Sequence, residues 1–99
     1  MAKHAEDDAL LKALGHPLRK WLLRLCVEEG EQLSPKELAL VMRQSLSTVS
    51  YHARKLRELG ALDLVHEEPV RGSVAHFYKP TDLVTKTPWV LAALGFKEG

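Results

Sequence analysis

The chain has a single cysteine, Cys26, in 99 residues, which excludes an intramolecular disulfide and a thiolate pair for metal. A reducing, cytoplasmic setting is the expectation that follows. Long apolar runs are absent, so no stretch approaches the length that spans a bilayer, and no membrane partner is expected. The opening MAKHAEDDALL is acidic and lacks the apolar run of a secretory signal. An excess of one charge is also missing. Fourteen Lys and Arg face 13 Asp and Glu, for a net charge of +1, so bulk charge does not announce a nucleic-acid binder. Nor is there a glycine-rich phosphate loop or a nucleophile with a base and an orienting group, and the scattered His and Glu form no metalloprotease pattern. A chain this short builds one modest core without a sizeable cleft, so an enzyme is the weakest class and no cofactor is expected.

What is present is helical patterning with clear punctuation, at hydrophobic and charged contents of 45% and 27% that suit a globular domain. A first helix is expected from near Asp7 to Leu14, with Leu10, Leu11 and Leu14 on one face. Gly15-His16-Pro17 breaks it, and proline suits the first turn of the next helix. That helix should run from Pro17 to about Glu29, with Leu18, Trp21, Leu22, Leu25 and Cys26 facing the core and Gly30 ending it. In Ser34–Glu37 the spacing is that of a capping box, with Leu33 and Leu38 placed as a hydrophobic staple. Leu38, Val41 and Met42 of this third helix are expected to face inward.

The stretch LSPKELALVMRQSLSTVSYHARKLRELG carries the functional signal. It reads as two short amphipathic helices joined by a turn at Arg43-Gln44-Ser45, with Ser45 as N-cap of the second (Ser47 is the alternative) and Gly60 as its stop. At about 100° per residue, Val49, Ala53 and Leu56 share the buried side. Ser47, Tyr51 and Arg54 lie opposite, with Thr48, Ser50 and Lys55 on the flanks. Capping accounts for one or two of the hydroxyls. It does not account for Tyr51 and Arg54, one and two turns further on, and such side chains can donate to phosphates or base edges. Local charge agrees, since Lys36, Arg43, Arg54, Lys55 and Arg57 face only Glu37 between positions 36 and 57. The expectation is a helix-turn-helix that reads double-stranded DNA.

Beyond Gly60 the periodicity becomes that of strands, at 62–66 and 74–78, around a turn at Arg71, Gly72 and Ser73. A wing arginine at that turn would enter a minor groove or hold a phosphate. His66 and His76 face each other if the hairpin is centred on Arg71. With Glu67 or Glu68 they would make a conceivable metal site, which a register shift of one residue removes. His52 lies toward the buried side of its helix and reads as a packed histidine. Cys26 reads as a small core hydrophobe. A last helix is expected from Pro88 within 87–96, where Trp89, Leu91 and Leu94 suggest burial against a second copy.

Four helices, a hairpin and a closing helix give the order α-α-α-α-β-β-α, a mainly α winged helix-turn-helix filling residues 1–99 as one domain. The helix-turn-helix would occupy about 34–60, the wing about 62–79 and the terminal helices about 7–14 and 87–96. ALGHPLRKWLLRLC resembles the opening helix of the ArsR-like bacterial regulators, which has Ala-Leu, a Pro and an Arg before an aliphatic run. LSTVSYHARKLRELGAL resembles that family's recognition helix, a Ser-x-x-x-Val-Ser-x-His-x-x-x-Leu pattern closed by glycine, and PVRGSVAHFYKPT resembles its wing. The likeness spans Ala13 to Thr81.

The resemblance implies a homodimeric transcription factor, usually a repressor, held together by its first and last helices. It places Ser47, Thr48, Ser50, Tyr51 and Arg54 toward DNA. With the residue reading, the expected DNA contacts are Ser45, Ser47, Thr48, Ser50, Tyr51, Arg54, Lys55, Arg71, Gly72 and Ser73. The expected dimer contacts are Leu10, Leu11, Trp89, Leu91 and Leu94. Metal sensors of the family carry Cys-x-Cys near their third helix or acidic and His ligands on the last. LSPKELALVM has no cysteine and TPWVLAALGFKEG no histidine, so no metal is implied. The competing expectation is a winged helix that binds protein and no DNA, which the mild net charge keeps open.

Overall fold

A computed structural model describes residues 2–96. Four helices, α1 (Ala2–Leu14), α2 (Pro17–Glu29), α3 (Pro35–Met42) and α4 (Leu46–Glu58), are followed by β1 (Leu62–Val70) and β2 (Ser73–Pro80). Two short helices, α5 (Asp82–Thr85) and α6 (Pro88–Ala93), end the described chain. This is the winged helix-turn-helix the sequence implies, with one helical turn added after the wing.

The boundaries follow from local chemistry. His16 caps α2, its Nδ1 accepting from the Leu18 amide at 3.1 Å, and Pro17 takes the first turn. Gly30 closes α2 at φ 67°, the left-handed region that glycine enters without steric cost. The capping box of α3 is complete. Ser34 Oγ accepts from the Glu37 amide at 3.3 Å, and Glu37 Oε1 accepts from the Ser34 amide at 2.9 Å. At the end of α4, the Ala61 amide donates to Leu56 O at 2.9 Å and the Gly60 amide to Arg57 O at 3.0 Å. That pairing is a Schellman closure, with Gly60 at φ 81°.

Three expectations need correction. Helix α1 begins at Ala2 rather than near Asp7, because Ala-Lys-His-Ala-Glu propagates a helix well and leaves Asp7 and Asp8 in its second turn. Trp21 is 41% exposed, since the core lies on the Leu22–Cys26 side and Trp21 stands a quarter turn away. Val41 is 63% exposed; it stands at the open rim of a groove between α2 and α3 that half-buried Leu25 and buried Leu38 also line.

One core unites the elements: Leu10 and Ala13 of α1, Leu22, Leu23 and Cys26 of α2, Leu38 and Met42 of α3, and Val49, Ala53 and Leu56 of α4. Leu62 and Tyr78 anchor the base of the hairpin in it, and Val84, Val90 and Leu94 close it from the C-terminal side. Two contacts that the sequence does not announce fix the wing. Leu33 and Tyr78 exchange both backbone hydrogen bonds, at 2.9 and 2.8 Å, tying the loop before α3 to β2. Thr81 Oγ1 donates to Gly60 O at 2.7 Å, tying the wing's exit to the end of α4. That hydroxyl is therefore not capping α5.

The hairpin is antiparallel, with Val70 opposite Ser73 and a bulge at Val65. Its turn is the pair Arg71–Gly72, at φ 33° and 79°, and positive φ at both positions is what a type I′ turn requires. Both strands run further toward this turn than their apolar stretches suggest, so the wing projects from a molecule 44 Å long.

Candidate nucleic-acid interface

Helix α4 presents its polar face because its apolar one is spent. Val49, His52, Ala53 and Leu56 are buried against the core, which aims positions 47, 51 and 54 outward. Tyr51, 51% exposed, stands beside exposed Ser47 and Arg54; Thr48, Ser50 and Lys55 are half-buried on the flanks. Ser45 is the N-cap expected for it. Its Oγ accepts from the Thr48 amide at 3.1 Å and donates to Thr48 Oγ1 at 2.8 Å. Ser45 and Thr48 thus satisfy each other at the helix start, and Ser47 Oγ lies 3.3 Å from Ser45 Oγ.

The wing lies along one edge of this face. Leu46, Ser50 and Arg54, a stripe at i, i+4 and i+8, line a groove whose opposite wall is Val74 and His76 of β2. Lys36, in the first turn of α3, sits at the same groove. Arg71, Gly72 and Ser73 are all exposed at the wing's end. Arg54 and Arg57 lie close enough to Tyr78 to oppose the upward push that burial gives its hydroxyl pKa, which Glu67 reinforces. Recognition helix, first turn of α3 and wing therefore meet on one side, and that side carries Lys36, Arg54 and Arg57. None of these cations joins an ion pair among the described residues, whose pairs are Arg24–Glu28, Lys86–Asp82, His66–Glu68 and His76–Glu67.

Lys36, read in the sequence only as part of a local basic set, and His76, read only as half of a conceivable metal pair, both line this groove, which each reaches through the packing of α3 and β2 beside α4.

The histidine arrangement on the wing differs from the one considered. The turn is centred between Arg71 and Gly72, and the Val65 bulge precedes the pair, so Glu67 faces His76 and His66 faces Phe77. His76 Nε2 lies 3.3 Å from Glu67 and His66 Nε2 3.5 Å from Glu68, as two separate pairs. No group of three or more His, Cys, Asp or Glu suited to a metal occurs among the described residues.

His52 is packed, as its position in α4 implies, with its ring 4.5 Å from that of His16. Burial, and then the charges of His16 and Arg19, hold its pKa below the ordinary histidine value. Its Nδ1 makes no hydrogen bond among the described residues. Arg19 forms no ion pair among the described residues; its Nη2 donates to Lys12 O at 2.9 Å.

The apolar residues expected at a dimer seam fall into two groups. Leu10 and Leu94 are inside the chain's own core, where α1 and α6 pack on α2, so neither offers surface to a second copy. Leu11 is 58% exposed, Trp89 39% exposed and Leu91 half-buried.

Comparison with known proteins agrees with this geometry. A family described as "Helix-turn-helix domain" matches residues 14–65, from the end of α1 into β1. No curated relative matches the chain in sequence. Among solved structures, reduced HlyU from Vibrio cholerae N16961 is 24% identical, with 97% of this chain and 95% of that one covered at a TM-score of 0.71. A second HlyU structure from the same organism is 24% identical over 93% and 87% of the two chains, at a TM-score of 0.66. The transcriptional repressor PagR of Bacillus anthracis is 20% identical over 94% and 93%, also at 0.66. At such identities the likeness is one of fold, and it covers the wing and the last helices as well as the helix-turn-helix. The chain belongs to the helix-turn-helix domain family, and it has the winged fold of the HlyU and PagR structures.

Proposed function

We propose that the chain acts as a homodimeric repressor that binds a palindromic double-stranded operator and occludes a promoter. The observation that carries this reading is that Arg54 of α4 lines one groove with Val70 and Ser73 beside the wing turn, on a helix that also exposes Ser47 and Tyr51. A helix of that width and polarity enters a major groove, where Arg prefers guanine and hydroxyls serve several bases. The wing then falls over the adjoining backbone, with Arg71 in the minor groove or on a phosphate and Gly72 letting the chain approach closely. Ser45, Thr48, Ser50 and Lys55 support the helix start and its flanks. Twofold symmetry is supported by exposed Leu11 of α1 and by exposed Trp89 and half-buried Leu91 of α6, which would pair with their copies and set two α4 helices against successive half-sites. Repression is supported by the fold shared with PagR, itself described as a transcriptional repressor.

The test is selection from a randomised double-stranded DNA pool, repeated with the Tyr51→Ala, Arg54→Ala variant. Enrichment of a palindrome by the native protein, lost in the variant, is the expected result. No enrichment at low or moderate salt would overturn the reading in favour of a protein-binding winged helix.

A further inference from the structure

The groove between α4 and the wing has more than a nucleic-acid backbone needs. It encloses about 290 Å³, at the small end of the range of ligand pockets. Its walls are largely apolar: Leu46 at the start of α4, and Val70, Val74 and Ala75 on the two wing strands. Leu46, Val70 and Val74 are among the most exposed large hydrophobics of the described chain, so these walls are uncovered in the free protein. Two cations border them, Lys36 from α3 and Arg54 from α4, and neither is held by a carboxylate among the described residues. Apolar walls favour a body of hydrocarbon, worth about 25 cal/mol for each Å² removed from water. Unpaired cations at the rim favour an anionic head, bound by charge-assisted hydrogen bonds.

We propose that this groove binds a small organic carboxylate with an apolar body, and that its occupation excludes DNA. The carboxylate sits between Lys36 and Arg54, and the hydrocarbon lies against Leu46, Val70, Val74 and Ala75. Because Ser50 and Arg54 border the same groove, a bound ligand takes both from the DNA-facing stripe of α4 and holds the wing at its ligand-bound distance. Ligand and DNA thus compete directly, without any change at the dimer seam. Ligand binding needs only the free protein; the exclusion of DNA rests on the function proposed above.

The probe is 2-naphthoate, with its uncharged counterpart 2-naphthamide, titrated into the full chain while methyl and amide NMR signals are followed. The expected shifts are confined to Leu46, Val70, Val74 and Ala75, with naphthamide and the Lys36→Gln variant each weakening binding about tenfold through loss of a charged contact. Added operator DNA should reverse the shifts. Shifts that spread to the exposed Leu40 and Val41 of α3, or that are equal for acid and amide, overturn the site. If naphthoate fills the groove and no DNA binds, the site stands and the repressor reading falls. If DNA binds and naphthoate leaves the groove untouched, the reverse holds.

Discussion

If α4 reads bases while the wing holds backbone, Arg54 and Arg71 should fail in different ways. Arg71 lies at the end of the hairpin, exposed and remote from the core, at φ 33°. Arg71→Gln keeps a Cβ in that turn and so keeps its strain, and folding stability should change by no more than about 0.5 kcal/mol. What changes is the number of phosphates neutralised. Each contact contributes roughly 0.9 to the slope of log K against log salt, so a dimer that loses both wing arginines should have a slope smaller by about 2. The loss should be the same on every sequence. Arg54→Gln removes a base donor, at about 1–3 kcal/mol of discrimination per half-site, and the preference for one base should collapse toward nonspecific binding. Fluorescence anisotropy at four salt concentrations, on the selected operator and on a scrambled duplex, separates the two effects. An unchanged slope in Arg71→Gln would refute the docking geometry. A uniform loss on both duplexes in Arg54→Gln would make that residue a phosphate contact and leave base reading to Ser47 and Tyr51.

Three further outcomes are expected. Leu11→Lys combined with Trp89→Ala should give a monomer in sedimentation equilibrium, with binding to a palindrome reduced to that of a single half-site; a persisting dimer would place the seam elsewhere. His52 is held neutral in the fold by burial and by the charges of His16 and Arg19, so its folded pKa lies below the unfolded value of 6.5. The stability this represents is complete above pH 6.5 and is lost as pH falls from there toward the folded pKa, because only the unfolded chain takes up the proton. The urea midpoint should therefore fall between about pH 7.5 and 5.5, and fall less in His52→Gln; equal falls would assign the effect to other groups. Burial pushes the Cys26 thiol up to about 12, so a thiol reagent should label the native protein only at the rate of unfolding, and rapid labelling would contradict its place in the core.

The parts legible in the sequence are those set by neighbours along the chain. Pro17 and Gly30 bound α2, and Ser34 with Glu37 starts α3, because caps are satisfied within three or four residues. The buried stripe of α4 follows from the helical period, and with it the outward side of Tyr51 and Arg54. What escaped depends on contacts between distant residues. Thr81 gives its hydroxyl to Gly60 rather than to the helix it precedes, so nothing local marks α5. Val41 has the right period for burial but stands at the open rim of the groove between α2 and α3. The wing's register turns on one bulged residue, Val65, and that displaces His66 from His76. Leu10 and Leu94 were apolar on the expected faces, but apolarity does not say whether the covering surface belongs to the same chain or to another copy. The groove holding Lys36 and Arg54 exists only once β2 lies beside α4.

A net charge of +1 is compatible with a DNA-binding face because charge acts locally here. At physiological ionic strength the screening length is about 8 Å, well short of the 44 Å span of the molecule. Glu6, Asp7 and Asp8 lie on α1 and Glu28 and Glu29 at the end of α2, whereas α4 carries Arg54, Lys55 and Arg57 on its last two turns. In the proposed complex, DNA lying along α4 would be attracted by the second group while the first is screened from it. The wing is the exception, since Glu67 and Glu68 are on the element that would approach the backbone in the proposed complex. There Glu67 lies 3.3 Å from His76 Nε2 and Glu68 3.5 Å from His66 Nε2, so each wing carboxylate has an imidazole as its near neighbour. Affinity should therefore follow the local balance on α4 and the wing, and the salt slope of Arg71→Gln measures that balance where the net charge does not.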